Sequence, residues 1–391
     1  MMCYFFPLVG AAISDSFLNK FWTISILSIV YVIGAIMLSI SAVPDWLGVP
    51  PNIPQWPSLI GLLLIAIGTG GIKPCVSALG GDQFISDQKY GIDRFYNYFY
   101  MAINVGAILA GVSPFIQEKN IYGHDGDGYP VVFGMCAGVL ALATLLFMIG
   151  KPFYRIVPPA GIFLPGKIAK TGASYVYHLI KFQGDSSLTR EVVYDIYGEE
   201  LVNEYLEMIR VIAVLLPAPF FWMAFDQSGS SWQELTDQMD SSNFLNSVMI
   251  NTIANPILSL FISPLFANYV YPAMDRLFPN KFGLLNRMVL GMIISGFAYV
   301  VCGILQSHVS DTCKWTDIVS NGLTQHICIS HGFSTAYFLI PYVLITIGEV
   351  LFSVAGLNFT YTEVGSRMKS SCAAIWLLAV AIGNLLVFFR V

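Results

Sequence analysis

Charge is what this sequence lacks. Only 11% of its residues are charged while 56% are hydrophobic, and a soluble domain carries about 25% charged residues. That deficit excludes an ordinary soluble domain and puts the chain in the membrane class before any motif is read. Histidine is scarce too. His124, His178, His308, His326 and His331 all fall in polar connections, which excludes a histidine proton relay within the apolar runs. The seven cysteines show no metal-ligand spacing. Walker and Rossmann glycine patterns are absent, and no nucleophile–base set appears in the apolar runs, so an enzyme is not expected. Met1–Ser14 contains no Lys or Arg, unlike the basic start of a signal peptide. It reads as the end of a spanning helix whose beginning is missing.

What the sequence has in quantity is long apolar runs. About 20 apolar residues cross a bilayer core. Besides Met1–Ser14, spans are expected at Phe21–Val43, Ser58–Leu79, Tyr96–Ile116, Val131–Ile149, Val211–Phe225, Asn246–Val270, Leu284–Leu305, Tyr337–Phe359 and Ser371–Phe389. With Met1–Ser14 ending in the cytosol, fifteen basic residues fall inside and three outside (Lys119, Lys314, Arg390). That is a strong positive-inside bias. The remaining basic residue, Lys73, lies within a span. The expected organisation is an N-terminal transmembrane bundle over 1–150, a cytosolic linker over 151–208 and a C-terminal bundle over 209–391 with a short outside loop at 306–336. The fold class is an all-α membrane protein with the two-bundle layout of secondary transporters, and about ten of twelve helices are present.

Few residues in the spans carry chemistry. Lys73 sits between a glycine cluster and Pro74 in "IGTGGIKPCVSALGGDQF". A charge at mid-membrane costs about 2.5–3.5 kcal/mol and normally faces a wet cavity or a partner. Snorkelling to the cytosolic surface is the alternative reading. Glu349 lies near the centre of its span. Desolvation there disfavours its charge, which suits loading and releasing a proton or pairing with a substrate amine; a structural pairing with a neighbouring helix also fits. A base and an acid in opposite bundles suit a zwitterionic ligand. In "IRVIAVLLPAPFFWMAFDQSGSSW" Arg210 opens a span and Asp226 lies near its outer end, with Phe221, Trp222 and Phe225 between them. Packing accounts for most of these aromatics, and simple solvation is an equal reading of Asp226. Cys313 and Cys328 share the outside loop, a compartment that permits a disulfide; spacing alone leaves the pairing open.

"GTGGIKPCVSALGGDQF", "FYMAINVGAIL", "FFWMAFDQSGSSW" and "GEVLFSVAGLNFTYTEVGSRMKSSCAAIWLLAVAIGN" resemble the proton-dependent oligopeptide transporter (POT, or PTR) family, most of all its animal di- and tripeptide transporters. The resemblance implies a major-facilitator fold, alternating access and symport of protons with short peptides at the plasma membrane. It implies peptide substrates and the lipid bilayer as partners, no nucleic acid, a monomer, and no cofactor beyond the proton. By resemblance, Lys73 meets the peptide carboxylate and Glu349 its amino terminus. Tyr100 and Asn104 hold its backbone, and Trp222, Asn255 and Trp376 complete the pocket. Glu349, Asp226, Arg210 and Asp15 take the proton-coupling and gating roles. The sequence departs from the family pattern at several points. The E-x-x-E-R motif and the proton-linked histidine would precede Met1, the last helix is missing, and Ala267 stands where an aspartate usually pairs with the position of Arg210. A truncated, non-transporting paralogue and a carrier of another small anion such as nitrate are the alternative readings.

Overall fold

Backbone polar groups in hydrocarbon have to be satisfied within the chain, and helices do this segment by segment. The computed structural model describes residues 2–43, 56–85, 87–111, 113–117, 121, 128–161, 163–240, 247, 250–279, 281–320, 323–365 and 367–388. Its helices, in chain order, are α1 (Met2–Ile13), α2 (Asn19–Ser41), α3 (Trp56–Gly81), α4 (Lys89–Ala110), α5 (Ser113–Gln117), α6 (Tyr129–Ile149), α7 (Leu164–Lys181), α8 (Ser186–Tyr197), α9 (Glu199–Leu215), α10 (Ala218–Asp226), α11 (Ser231–Asp237), α12 (Asn255–Leu265), α13 (Tyr271–Leu277), α14 (Leu284–Thr312), α15 (Leu339–Thr362) and α16 (Lys369–Phe388). Seven helical runs among the described residues are long and apolar enough to cross a membrane, or eight if the bent pair Glu199–Leu215 and Ala218–Asp237 is one span.

With that bent pair counted as one span, the difference between the ten expected spans and eight has two sources. Met1–Ser14 and Phe21–Val43 form one helical run, Cys3–Ser41. It turns back through the π-helical segment Ser14–Leu18 and Asn19, whose φ is +62°. The reversal lets α1 and α2 both lie against α3, and small residues make the approach possible. A side chain at Gly10 would run into the backbone of Gly71, and one at Gly34 would meet the carbonyl of Gly61 at 2.8 Å. The second source is Tyr96–Ile116. It falls on α4, whose first turns carry Lys89, Asp93 and Arg94 and which continues with Asn97 and Asn104, too polar a run to qualify.

Exposed faces show where the surrounding medium is hydrocarbon. On α2, Trp22, Ile26, Ile29, Ile33, Ile36 and Ile40 are all exposed and recur every three or four residues, one stripe of a helix. Val289, Ile293, Phe297, Val300 and Ile304 make the same stripe on α14. In contrast, α15 is buried along most of its length.

Packing groups the chain into two compact units. The first comprises Met1–Gln88, Ser113–Ala218 and Thr360–Ala381; the second comprises Lys89–Val112, Pro219–Phe359 and Ile382–Val391. This grouping departs from the chain-order division at 150 and 208, because α4 packs on α12 and the start of α16 is tied by hydrogen bonds to Asp15.

The connection at 306–336, expected on the outside, is not all loop. α14 runs on to Thr312, and β2 (Lys314–Ser320) pairs antiparallel with β3 (Leu323–Ser334) from Lys314↔Ile329 to Ser320↔Leu323. β1 (Met239–Asp240) pairs parallel to β3. The otherwise all-α architecture therefore carries a three-stranded sheet of order β1-β3-β2. Cys313 and Cys328 are joined as a disulfide with Cα atoms 5.4 Å apart.

Candidate functional site

Glu349 is the centre of a buried polar cluster in the second unit. It sits mid-helix in α15 and is 6% exposed. Two other helices reach its carboxylate. From α4, the Tyr100 hydroxyl donates to Oε1. From the start of α12, Asn255 Nδ2 donates to Oε2 at 2.8 Å. Asn255 Nδ2 also donates to Thr346 Oγ1 at 3.2 Å, and that hydroxyl donates to the Tyr342 carbonyl at 2.7 Å. Thr346 is one helical turn before Glu349, so its spent hydroxyl proton leaves an acceptor that fixes the amide with its N–H groups towards the acid. The chain of bonds continues as Tyr342 donates to Asn251 Oδ1 at 2.7 Å. Asn251 in turn donates to Thr236 Oγ1 at 2.6 Å.

The electrostatics of this cluster are incomplete. Glu349 receives two neutral donors, and among the described residues no Lys, Arg or His forms an ion pair with it. A buried carboxylate without a countercharge is costly unless a proton or cation completes it. The arrangement can therefore hold a proton or an ammonium group.

The remaining sequence-predicted residues distribute as follows. Asn104 is buried on α4, and its amide donates back to the Tyr100 carbonyl at 3.0 Å. Trp222 on α10 packs edge-on against Phe221, Phe225 and Phe352 with ring centroids 5.4, 5.6 and 6.5 Å away. Asp226 ends α10 and is half-buried. These residues share the second unit with Tyr100, Asn255 and Glu349. Lys73, Trp376, Asp15 and Arg210 belong to the first unit. Lys73 is half-buried on α3, which continues through Pro74, and its ammonium lies 4.3 Å from the centroid of the Tyr4 ring, a cation–π contact. Trp376 is buried in α16. Arg210 is exposed on α9 and makes no ion pair among the described residues.

Asp15 is buried and accepts from the backbone N–H and the hydroxyl of Ser371, both at 2.8 Å. A carboxylate at the first turn of α16 satisfies an orphan donor and matches the helix dipole. Beside it lies a network that sequence reasoning missed. Lys20 pairs with Asp82 at 2.7 Å, and Asp82 also accepts from Tyr361 at 3.0 Å and faces Lys369 at 3.5 Å. In the second unit, Arg287 Nη1 meets both Asp93 oxygens at 3.1 Å. Asn358 donates to Asp93 at 3.1 Å, and the Arg287 guanidinium rests 4.0 Å from the Tyr271 ring centroid. The available signal was an acid and a base each at the edge of an apolar run.

A family model described as "POT family" matches residues 21–391. The chain is 33% identical to solute carrier family 15 member 1 of Homo sapiens over 379 residues, covering 93% of this chain and 53% of that protein. It is 33% identical to peptide transporter family 2 of Caenorhabditis elegans, covering 81% and 42%. The chain thus spans about half the length of these curated relatives. Among solved structures, the POT family transporter PepTSo superposes with a TM-score of 0.67 at 26% identity, over 100% of this chain and 78% of that one. A second proton-dependent oligopeptide family transporter does so with 0.59 at 26% identity, over 99% and 79%.

Proposed function

The chain belongs to the POT family, and from that premise we propose that it serves proton-coupled symport of di- and tripeptides across the plasma membrane by alternating access. It is a carrier and not an enzyme, works as a monomer, and needs no cofactor besides protons. The observation that carries this reading is the buried Glu349 carboxylate, held by Tyr100 and Asn255 and lacking a cation among the described residues.

Glu349 takes the peptide's amino terminus or a proton, and these compete because each completes the same charge. Tyr100 and Asn255 orient the carboxylate. Asn104, Trp222 and Trp376 shape the peptide pocket, and Lys73 receives the peptide carboxylate. Asp15 holds the start of α16 in the closed position of a gate, with Arg210 and Asp226 contributing to coupling. Recognition of backbone and termini rather than side chains accounts for a broad peptide range. The bundles follow the chain as 1–150 and 209–391, joined through a cytosolic linker at 151–208.

Uptake of a radiolabelled dipeptide into vesicles under an inward proton gradient tests the proposal. Saturable, gradient-dependent uptake is expected, and Glu349→Gln is expected to abolish the dependence on the gradient. Unchanged coupling in that variant would overturn the role of Glu349. Nitrate uptake without dipeptide uptake, or no uptake, would overturn the peptide reading.

A further inference from the structure

α7 has two apolar faces and the protein covers only one. Leu164, Ile168 and Tyr175 are buried against Leu201, Val202 and Met368. On the opposite side Phe163 is 57% exposed, Tyr177 62% and Ile180 75%. Lys167, Lys170 and Lys181 are exposed among them. These six recur at helical spacing, and no acid lies between Leu164 and Lys181. A face that alternates lysines with large apolar groups and carries no acid is the composition of a helix lying on an anionic membrane surface.

Three contacts fix the start of α7 against the reversal between α1 and α2. The Leu164 N–H donates to Ser16 Oγ at 3.1 Å, and the Ala160 N–H donates to the Asp15 carbonyl at 2.8 Å. The Phe163 ring stacks on Phe17, with centroids 6.3 Å apart. Ser16 and Phe17 belong to the reversal between α1 and α2, just ahead of Trp22, where the lipid-facing stripe of α2 begins. The level of Trp22 is itself marked as interfacial. Lys151, just past the end of α6, rests 4.6 Å from the Trp22 ring centroid, the aromatic-and-cation pairing expected where headgroups begin. α7 is thus pinned where its apolar side chains can enter the headgroup region and its lysines can meet lipid phosphates.

We propose that the exposed face of α7 docks on the bilayer surface and recognises anionic lipid headgroups through Lys167, Lys170 and Lys181. The contribution of a lysine near an anionic leaflet is screened by salt, so the attraction should weaken as ionic strength rises.

The experiment uses the full chain in vesicles of phosphatidylcholine alone or with phosphatidylserine. An environment-sensitive fluorescent amino acid is placed at position 177, or at exposed position 195 on α8 as a control, and quenched by a lipid carrying a nitroxide near its headgroup. Severalfold stronger quenching at 177 than at 195 is expected, increased by phosphatidylserine. Combining Lys167→Gln, Lys170→Gln and Lys181→Gln should remove that increase, and high salt should do the same without any substitution. Equal quenching at the two positions would overturn the docking. Quenching at 177 that ignores phosphatidylserine, salt and the lysines would overturn the headgroup recognition. Protection at 177 that appears only with an added acidic protein would assign the face to that class of partner instead. None of these readouts depends on transport.

Discussion

A residue's charge in an apolar run is legible from sequence, but its countercharge is not. Lys73 and Glu349 stand out because no other Lys, Arg, Asp or Glu lies near them in the chain, so their special status needs no knowledge of the fold. Arg287 and Lys20 sit at the ends of spans, where a positive-inside count treats basic residues as solvated. The structure buries both, because Asp93 and Asp82 come in from far along the chain. A buried pair broken on one side leaves an uncompensated charge, which costs about 3–5 kcal/mol. Arg287→Met should therefore lower the thermal unfolding temperature of the detergent-solubilised protein sharply, since Asp93 would keep, among the described residues, Asn358 as a neutral donor. Adding Asp93→Leu should recover much of the loss. If the double variant is no more stable than Arg287→Met, the coupling between the two residues is not what holds α4 to α14.

An element shows in the sequence when a single period dominates it. The stripes of α2 and α14 are of that kind, whereas α4 is not. Its polar groups serve the interior of the second unit, so hydropathy undervalues it. The sheet was missed for the opposite reason. "KWTDIVS" and "LTQHICISHGFS" carry β-branched and aromatic residues in short runs, but a polar connection between spans reads as loop until pairing is seen. The disulfide closes a segment of 15 residues, and loop closure of that length constrains the unfolded hairpin by about 3 kcal/mol. Cys313→Ser should make residues 314–334 readily cleaved by added protease while leaving the spans folded. Equal protease resistance in the variant would mean that strand pairing alone holds the hairpin. The linker offers a second element-scale prediction. Asp185 caps α8, and its carboxyl is held below the ordinary aspartate value by the Ser187 hydroxyl and by the N–H groups of Leu188 and Ser187. A lowered value in the folded state means the cap contributes above the unfolded value of about 3.9 and fades as pH falls through the folded value. Corrected amide exchange at the start of α8 should rise only in that acidic window. In Asp185→Ala it should be raised at neutral pH as well and show no such step.

At the scale of the whole molecule, composition points to a membrane environment, and the distribution of basic residues supports the proposed orientation, which packing alone does not give. Fifteen of the nineteen Lys and Arg residues fall on the side assigned to the cytosol, and short basic connections resist translocation. Several of them have structural work there as well: Lys20 and Lys369 meet Asp82, Arg367 pairs with Glu204 at 2.9 Å, and Lys167, Lys170 and Lys181 line the free face of α7. The proposed topology puts the disulfide-closed hairpin on the opposite side, where an oxidising compartment would preserve it. The two arguments are independent, one from charge and one from redox chemistry, and both support the proposed topology. An epitope inserted between β2 and β3 should accordingly be stained on intact cells. One inserted at Gly184, between α7 and α8, should be stained only after the plasma membrane is permeabilised. The reverse pattern would place the α7 face on the outer leaflet, where anionic lipid is sparse. It would remove the basis for anionic docking while leaving the Glu349 cluster and its chemistry unchanged.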